Sequence, residues 1–273
     1  MVLKSGSNSI SKIYLGLSEV KKAYLGGNLI YQANSSSAIA NNGFITDGLS
    51  SFLHAGRNTA SGYDPNATNW YDLTGNGYNG SLSNFNYDSL SGWQGDGTEV
   101  NPHCLLFDGI NDFVTLFNTQ NLISGVMSCQ LTVKIPYYNW YSHVVTRKTS
   151  LWETSRGLDV KTRPTLEGGS VNVIQPNYSG FSTINMTYCS ASNVINLAFV
   201  CDGSNFKVYR NGNIINSSLG TFNGNINTSL TLGSLVGGGY YLKYYLYNFA
   251  YYDNKALSLE EIQQNYNAGL VWK

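Results

Sequence analysis

The chain has 273 residues and no net formal charge, and only 12% of its residues are charged, so it lacks the electrostatic footprint that nucleic acid or an anionic lipid surface requires. At 42% hydrophobic it can bury a sizeable core, which excludes a disordered chain. Its 29 glycines and 21 tyrosines, with many Asn and Ser, favour short strands and tight turns over helices, which draw on Ala, Leu, Glu and Lys.

Met1 to Asn8 is polar and lacks the apolar centre of a secretory signal, and no apolar run approaches the length of a membrane span. The expectation is a product of the cytoplasm made without a signal peptide, with no nucleic-acid partner and no membrane insertion. A repeat of ten follows, Ile13 to Val20 and then Ala23 to Ile30, each unit two β-prone runs around a glycine. Two such units make too little sheet to stand alone. They are either an extra hairpin on the main domain or, in the preferred reading, a docking element spanning residues 1–33 that completes its fold on a partner. Asn34 to Asn42, rich in Ser, Asn and Ala, reads as part of a linker over 34–45, and the main domain as 46–273.

From there the pattern is strand, turn, strand. Leu49 to His54 opens it, and Asn69 to Leu73 leads into Thr74-Gly75-Asn76-Gly77, where Asp72 and Thr74 can bond their own backbone. Asn84 to Pro102 reads as a long polar loop carrying Trp93. Further strands are expected at Cys104–Phe107, Asp112–Phe117, Met127–Ile135, His143–Arg147, Gly157–Lys161, Ser170–Ile174, Asn185–Cys189 and Val194–Asp202. Phe206–Arg210 and Ile214-Ile215 flank Asn211-Gly212, a strong hairpin signal. Cys104, Cys129, Cys189 and Cys201 sit singly and mostly in apolar runs, as buried free thiols do.

Tyr240 to Tyr252 carries aromatics on both faces, Leu242, Tyr244 and Leu246 on one side and Tyr241, Tyr245, Tyr247 and Phe249 on the other, so it belongs inside a large sheet. After it, Ser258-Leu259-Glu260-Glu261 reads as a capping box, Leu257 and Ile262 as a hydrophobic staple, Tyr266 as the next apolar position and Gly269 as a left-handed stop. The fold class is therefore all-β: a two-sheet antiparallel sandwich closed by one short helix of about three turns.

Two resemblances add to this. Lys12 to Tyr31, with Lys-Ile-Tyr-Leu-Gly and then Val-Lys-Lys-Ala-Tyr-Leu-Gly-Gly-Asn-Leu-Ile-Tyr, resembles repeats near the start of tail and fibre proteins of tailed bacteriophages. Ser51 to Gly56, Trp70 to Gly77, Phe107 to Val114, Cys201 to Gly212, Leu232-Gly233-Ser234 and Lys255 to Ala268 together resemble the concanavalin A-like, laminin-G-type jelly rolls. The second resemblance spans about Gly48 to Lys273 and implies two curved sheets with glycan or protein bound at the loop rim.

Pro136-Tyr137-Tyr138-Asn139-Trp140-Tyr141 would present Tyr137, Tyr138, Trp140 and Tyr141 at a loop tip, suited equally to stacking on a sugar and to a subunit contact. Trp93 carries the same ambiguity. Asp108, Asn111 and Asp112 offer hard oxygens that related jelly rolls sometimes use for calcium, but such residues are also ordinary turn formers, and this is preferred here. His54 stands where the family usually has Asp, which removes one possible ligand. Retaining glucanases of similar architecture alternate two glutamates and an aspartate along one strand, a spacing that sets all the carboxylates on one face. No such segment exists here, and His54, His103 and His143 are not spaced as a metal pair. The expectation is a binding protein without cofactor or catalysis: a phage virion component anchored to other virion proteins through residues 1–33, homo-oligomeric, gripping host-surface glycan or protein. The alternatives are a decoration protein that touches only neighbouring subunits and, behind it, a glycan hydrolase.

Overall fold

The computed structural model describes residues 35–116, 125–136, 142–146, 193–219, 229–235 and 238–272, together with strands at 14–15, 18–19, 22–25, 28–32, 159–165, 168–174 and 186–189. The repeat of ten folds as two separate antiparallel hairpins, β1 (Tyr14–Leu15) with β2 (Ser18–Glu19) and β3 (Lys22–Leu25) with β4 (Asn28–Gln32). After helix α1 (Ser35–Asn41) come β5 (Leu49–His54), β6 (Asn69–Trp70), β7 (Gly80–Ser83), β8 (Gly92–Gln94), β9 (Cys104–Asp108), β10 (Phe113–Leu116), β11 (Val126–Lys134) and β12 (His143–Thr146). Then follow β13 (Asp159–Thr165), β14 (Gly168–Ile174), β15 (Met186–Cys189), β16 (Val194–Asp202), β17 (Asn205–Arg210), β18 (Asn213–Leu219), β19 (Leu230–Leu232), β20 (Lys243–Asp253) and helix α2 (Leu259–Asn267).

The strands make two antiparallel sheets. One runs β15-β14-β13-β12-β19-β10-β7-β6; the other runs β18-β17-β16-β11-β20-β9-β8, with β5 also on β20. Period-two alternation sorts the side chains of β11 and β16. Met127, Cys129, Leu131 and Val133 with Ile195, Leu197, Phe199 and Cys201 enter the core between the sheets. On the opposite face, Ala198 and Val200 join a second core with Phe52, Tyr252, Leu257 and Ile262. The second sheet is thus buried on both faces, by the first sheet and by the helices, which is why its strands carry aromatics on both sides.

β20 holds this sheet together. β11 pairs along its whole length on one edge, while β5 and β9 share the other, β5 on Asn248–Tyr252 and β9 on Lys243–Leu246. Thr132 faces Asn248 and Val133 faces Leu246, so Tyr247 is the extra residue of a bulge. The bulge corrects the side assignment expected from unbroken alternation: Phe249 and Tyr251 lie in the inter-sheet core with Tyr244 and Leu246, and Ala250 and Tyr252 face the helices. A one-residue slip exchanges faces, and the bulge makes that slip once.

α2 has the expected ends. Ser258 Oγ accepts from the Glu261 amide at 3.2 Å, Glu261 accepts from the Ser258 amide at 2.8 Å, and Gly269 has φ +85°. Leu257 and Ile262 are both buried as a staple. Tyr266 is the exception at 41% exposed: the helix turns Asn265 inward instead. Asn265 Nδ2 donates to Gln130 Oε1 and to Tyr252 Oη, each at 2.9 Å, and its Oδ1 accepts from the Ile45 amide at 2.7 Å. Gln130 Nε2 continues the chain of bonds to Asn196, and Asn196 to Thr132. A fully satisfied buried amide specifies one seat for the helix, a preference that apolar periodicity cannot reveal.

Within the stretch 34–45 expected to be a linker, α1 spans Ser35–Asn41, and Ile39 and Phe44 are buried in the second core. Ser and Asn dominate the composition there, but Ile39, Phe44 and Ile45 decide its packing. The long loop expected over 84–102 is also interrupted, by β8. Cys104, Cys129 and Cys201 are buried thiols outside any disulfide, as expected. Replacing Asn265 by Ala should cost about 2–4 kcal/mol, because it strands the Ile45 amide and the Gln130 carbonyl oxygen as well as removing their bonds. Ser258→Ala should cost about 1 kcal/mol. Urea unfolding of the two variants checks the order.

Candidate functional site

Of the residues singled out from sequence, Tyr137, Tyr138, Trp140 and Tyr141 lie outside the described residues. The strands beside them in sequence are described: the His143 amide donates to the Tyr240 carbonyl at 3.1 Å, the Lys134 ammonium lies 5.7 Å from the Tyr245 ring centroid, and Tyr240 is 47% exposed. Trp93 is not a rim aromatic. It sits in β8 at 6% exposure, edge-on to Trp70 with centroids 5.0 Å apart, and its indole N–H donates to the Ala67 carbonyl at 2.8 Å. The apolar ring outweighed the polar sequence around it.

Asp108, Asn111 and Asp112 form a turn that uses its own oxygens. Asp108 Oδ1 accepts from the Ile110 and Asn111 amides at 2.7 and 3.3 Å; Asp112 Oδ2 accepts from Ser91 Oγ at 2.7 Å and the Asp108 amide at 2.8 Å. The Asn111 carbonyl is taken by Asn84 Nδ2. This is the ordinary turn chemistry of Asp and Asn, and among the described residues no group of three His, Cys, Asp or Glu is placed to hold a metal. Asp112 is buried with Oδ1 unpartnered, and burial pushes its carboxyl up to about 6 against the pull of the Ser91 and Asp108 hydrogen bonds. Asp72 does similar work elsewhere: Oδ1 accepts from the Phe52 and Thr74 amides and Oδ2 from the Tyr78 amide, tying β5 to the turn after β6.

The described residues do form a cleft, of about 240 Å³, at the seam of β20 where β5 leaves and β9 begins. Three segments line it: the 3₁₀ turn Ala55–Arg57 after β5, the loop before β9 with Asp96, Gly97 and His103, and Leu270 to Trp272 beyond α2. Trp272 meets the His54 ring edge-on at 5.2 Å, and the Arg57 guanidinium lies over its indole at 5.8 Å. His103 stacks on Tyr63 with centroids 3.6 Å apart. Gly97, at φ +82°, lets the loop close over His103, since a Cβ there would come within 2.7 Å of Nε2. One carboxylate oxygen of Asp96 is held by the Thr98 amide and hydroxyl, and these bonds draw its carboxyl below the usual range. The cleft therefore gathers an indole, an imidazole and a carboxylate around a space suited to a small polar ligand. Sequence reasoning missed it because its parts are about forty to two hundred residues apart. Neither Trp272 nor Asp96 belongs to a motif.

His54 is buried behind Trp272 and does not itself line the cleft. Its Nδ1 accepts from the Gly56 amide at 3.1 Å, and burial, with a smaller repulsion from His103, pushes its pKa down to about 3. The imidazole is neutral, with its proton on Nε2, among the rings of Phe44, Phe52 and Trp272.

Three solved structures share the architecture. Domain 4 of AbnA, a GH43 extracellular arabinanase from Geobacillus stearothermophilus in complex with arabinotriose, matches with a TM-score of 0.59 at 16% identity, over 80% of this chain and 97% of that one. The binding domain of botulinum neurotoxin DC in complex with rat synaptotagmin II matches at 0.53 and 14%, over 81% of this chain and 52% of that one. Trypanosoma rangeli sialidase in complex with the inhibitor DANA matches at 0.51 and 11%, over 92% of this chain and 36% of that one. The chain thus spans about half the length of the neurotoxin domain and about a third of the sialidase. At these identities the likeness is one of fold, a β-sandwich. No protein-family model matches the chain, and no curated protein matches it.

The two perturbed groups set opposite pH slopes. Unfolded His54 takes a proton below 6.5 but folded His54 only below about 3, so its contribution to stability is lost as pH falls through that window. Asp112 binds its proton more tightly when folded, about 6 against 3.8, so its contribution is complete below 3.8 and lost as pH rises through about 6. Asp112→Asn removes the opposing slope, and the variant should lose stability more steeply than wild type on acidification below 6.5. Urea titrations at a series of pH values read this directly. Adding calcium or a chelator should leave Tm unchanged, since a bound ion would raise it by mass action.

Proposed function

We propose that this chain is a non-catalytic binding component of a tailed-bacteriophage particle, its hairpins at residues 1–33 docking onto other virion proteins and its sandwich gripping a host-surface glycan or protein. The observation that carries the binding role is the cleft at the β20 seam, where Trp272, His103 and Asp96 supply an apolar edge, an imidazole and an acceptor around a sugar-sized space. The arabinotriose complex of the arabinanase domain, and the dependence of botulinum neurotoxin type C on interaction with two ganglioside molecules, support a saccharide as occupant for a sandwich of this kind.

Binding without cleavage is supported by how seven of the described carboxylates are spent. Asp64, Asp72, Asp88, Asp108, Asp112 and Asp202 each accept backbone amides in their own turns, and Glu261 caps α2. A glycosidase needs two carboxyl groups free to face each other across the bond it cuts. The decoration reading draws on a different feature: the Ser91–Asp112 and Asn84–Asn111 hydrogen bonds bring the exposed Leu90 and Ile110 to one loop cluster, apolar enough to meet a neighbouring subunit.

A printed glycan array probed with the full chain tests the binding role. At least one glycan should be retained, and Trp272→Ala and Asp96→Ala should each weaken retention at least about tenfold, a loss of roughly 1.4 kcal/mol. Asp96 is on the open wall, so its variant leaves the packing of Trp272 intact. No retained glycan, or retention untouched by both changes, would overturn it. The anchor has its own test: a chain lacking residues 1–32 should fold but fail to enter particles.

A further inference from the structure

An asparagine followed by glycine is a reactive pair in water. The glycine amide nitrogen can attack the asparagine side-chain carbon Cγ, because glycine has no Cβ to hinder the approach. The chain has five such pairs, Asn42-Gly43, Asn76-Gly77, Asn79-Gly80, Asn211-Gly212 and Asn223-Gly224, and the first four lie among the described residues.

The structure separates these four. Asn42 is 5% exposed, its Nδ2 donates to the Ala38 carbonyl at 2.9 Å, and the Gly43 amide is taken by the Ala40 carbonyl. Asn79 Oδ1 accepts from the Asp72 amide at 2.7 Å, and Gly80 is buried in β7 between β6 and β10. Asn211 Oδ1 accepts from the Asn196 amide at 2.9 Å while its own amide donates to the Asn196 carbonyl, so β16 grips it twice. Crowding points the same way: a Cβ on Gly43, Gly80 or Gly212 would meet a neighbour at 3.4, 2.6 or 3.1 Å.

Asn76-Gly77 lacks these restraints. Asn76 is exposed, and its side chain is held by a single surface bond, from Nδ2 to the Ser50 carbonyl at 2.9 Å. The Gly77 amide donates to no described group, and a Cβ on Gly77 would meet nothing within 4 Å. The nucleophile is thus unpaired, the electrophile is held by one solvated bond, and the ring that joins them has room to form.

We infer that Asn76-Gly77 is a site of spontaneous deamidation, with water as the only co-reactant. The Gly77 nitrogen gives its proton to solvent and bonds to Asn76 Cγ; the Cγ–Nδ2 bond breaks, and the nitrogen takes up a proton and leaves as ammonia. A succinimide ring remains. Water then adds to either ring carbonyl and breaks its bond to the Gly77 nitrogen, leaving aspartate or, where the chain now runs through Cγ, isoaspartate. Neither step changes an oxidation state.

Both products loosen the turn. A carboxylate has no proton to offer the Ser50 carbonyl, so the bond from Nδ2 gives way to repulsion. Isoaspartate also adds a methylene to the backbone between Thr74 and Tyr78, whose amides Asp72 holds together with that of Phe52 in β5. The tie between β5 and the turn after β6 therefore weakens as the molecule ages. This inference does not rest on the binding cleft.

The test holds the full chain in a mildly alkaline buffer and maps its peptides by mass spectrometry over time. Asn76 should convert at least about tenfold faster than Asn42, Asn79 and Asn211, with both acids among the products, and denaturant should abolish the preference. Asn76→Gln, which would have to close a larger ring, should keep its amide over the same period. Aged wild type and fresh Asn76→Asp should both unfold at lower urea than fresh wild type. Asn76 still intact when the denatured chain has converted, faster loss at any of the other three, or the same ranking in denaturant would overturn the site. An aged protein as stable as a fresh one would overturn the loosening.

Discussion

The strand β20 must be buried on both faces, and most of the architecture follows from satisfying it. Its inward side chains, Tyr244, Leu246, Phe249 and Tyr251, need a second sheet above them, and its outward Ala250 and Tyr252 need the helical layer below. Each large aromatic removed from water is worth about 2–3 kcal/mol, so neither face can be left open. The strand cannot do this with perfect alternation, because the residues available on its two halves are out of phase. The bulge at Tyr247 resolves the conflict. It falls where β5 and β9 divide the other edge between them, so the interruption of one ladder coincides with the gap in the other.

That coincidence also makes the cleft. A continuous neighbour along β20 would have covered the seam; instead β5 turns away as a 3₁₀ segment, and the loop before β9 arrives from elsewhere. Two loops and the chain's last described residues meet over a break in the ladder. Rigid strands hold the walls apart while loops supply their chemistry, the usual division of labour between scaffold and binding residues.

The sandwich was legible in the sequence because alternation and turn chemistry act locally. β5 and β16 have the expected bounds, and Asn211 and Gly212 both have positive φ, as a tight hairpin turn requires. The capping box and staple of α2 were equally readable, since every partner lies within five residues. What could not be read depends on distant partners. Trp93 reads as a loop residue until Trp70 and Ala67 are seen beside it, and Ser35 to Asn41 reads as a linker until Ile39 is placed in a core made from residues two hundred positions on. Asn265 has no sequence signature at all, because a buried amide is recognised only by its company. The cleft belongs to the same class: its residue types are unremarkable singly, and only the break in the β20 ladder brings them together.

The clamp between Ile45 and Asn265 decides how a pull on the amino-terminal side would travel. Tension arriving at α1 reaches the Gln264–Gly43 and Asn265–Ile45 bonds to the last helix, and the Tyr252 hydroxyl of β20 on the Ile45 carbonyl, before it reaches β5. Those bonds would be strained together, in shear, and would have to part as a group. The helix they hold is the one that carries Trp272 just beyond its end. A pull on α1 and a load on Trp272 would therefore meet at one place, the last turn of a single short helix.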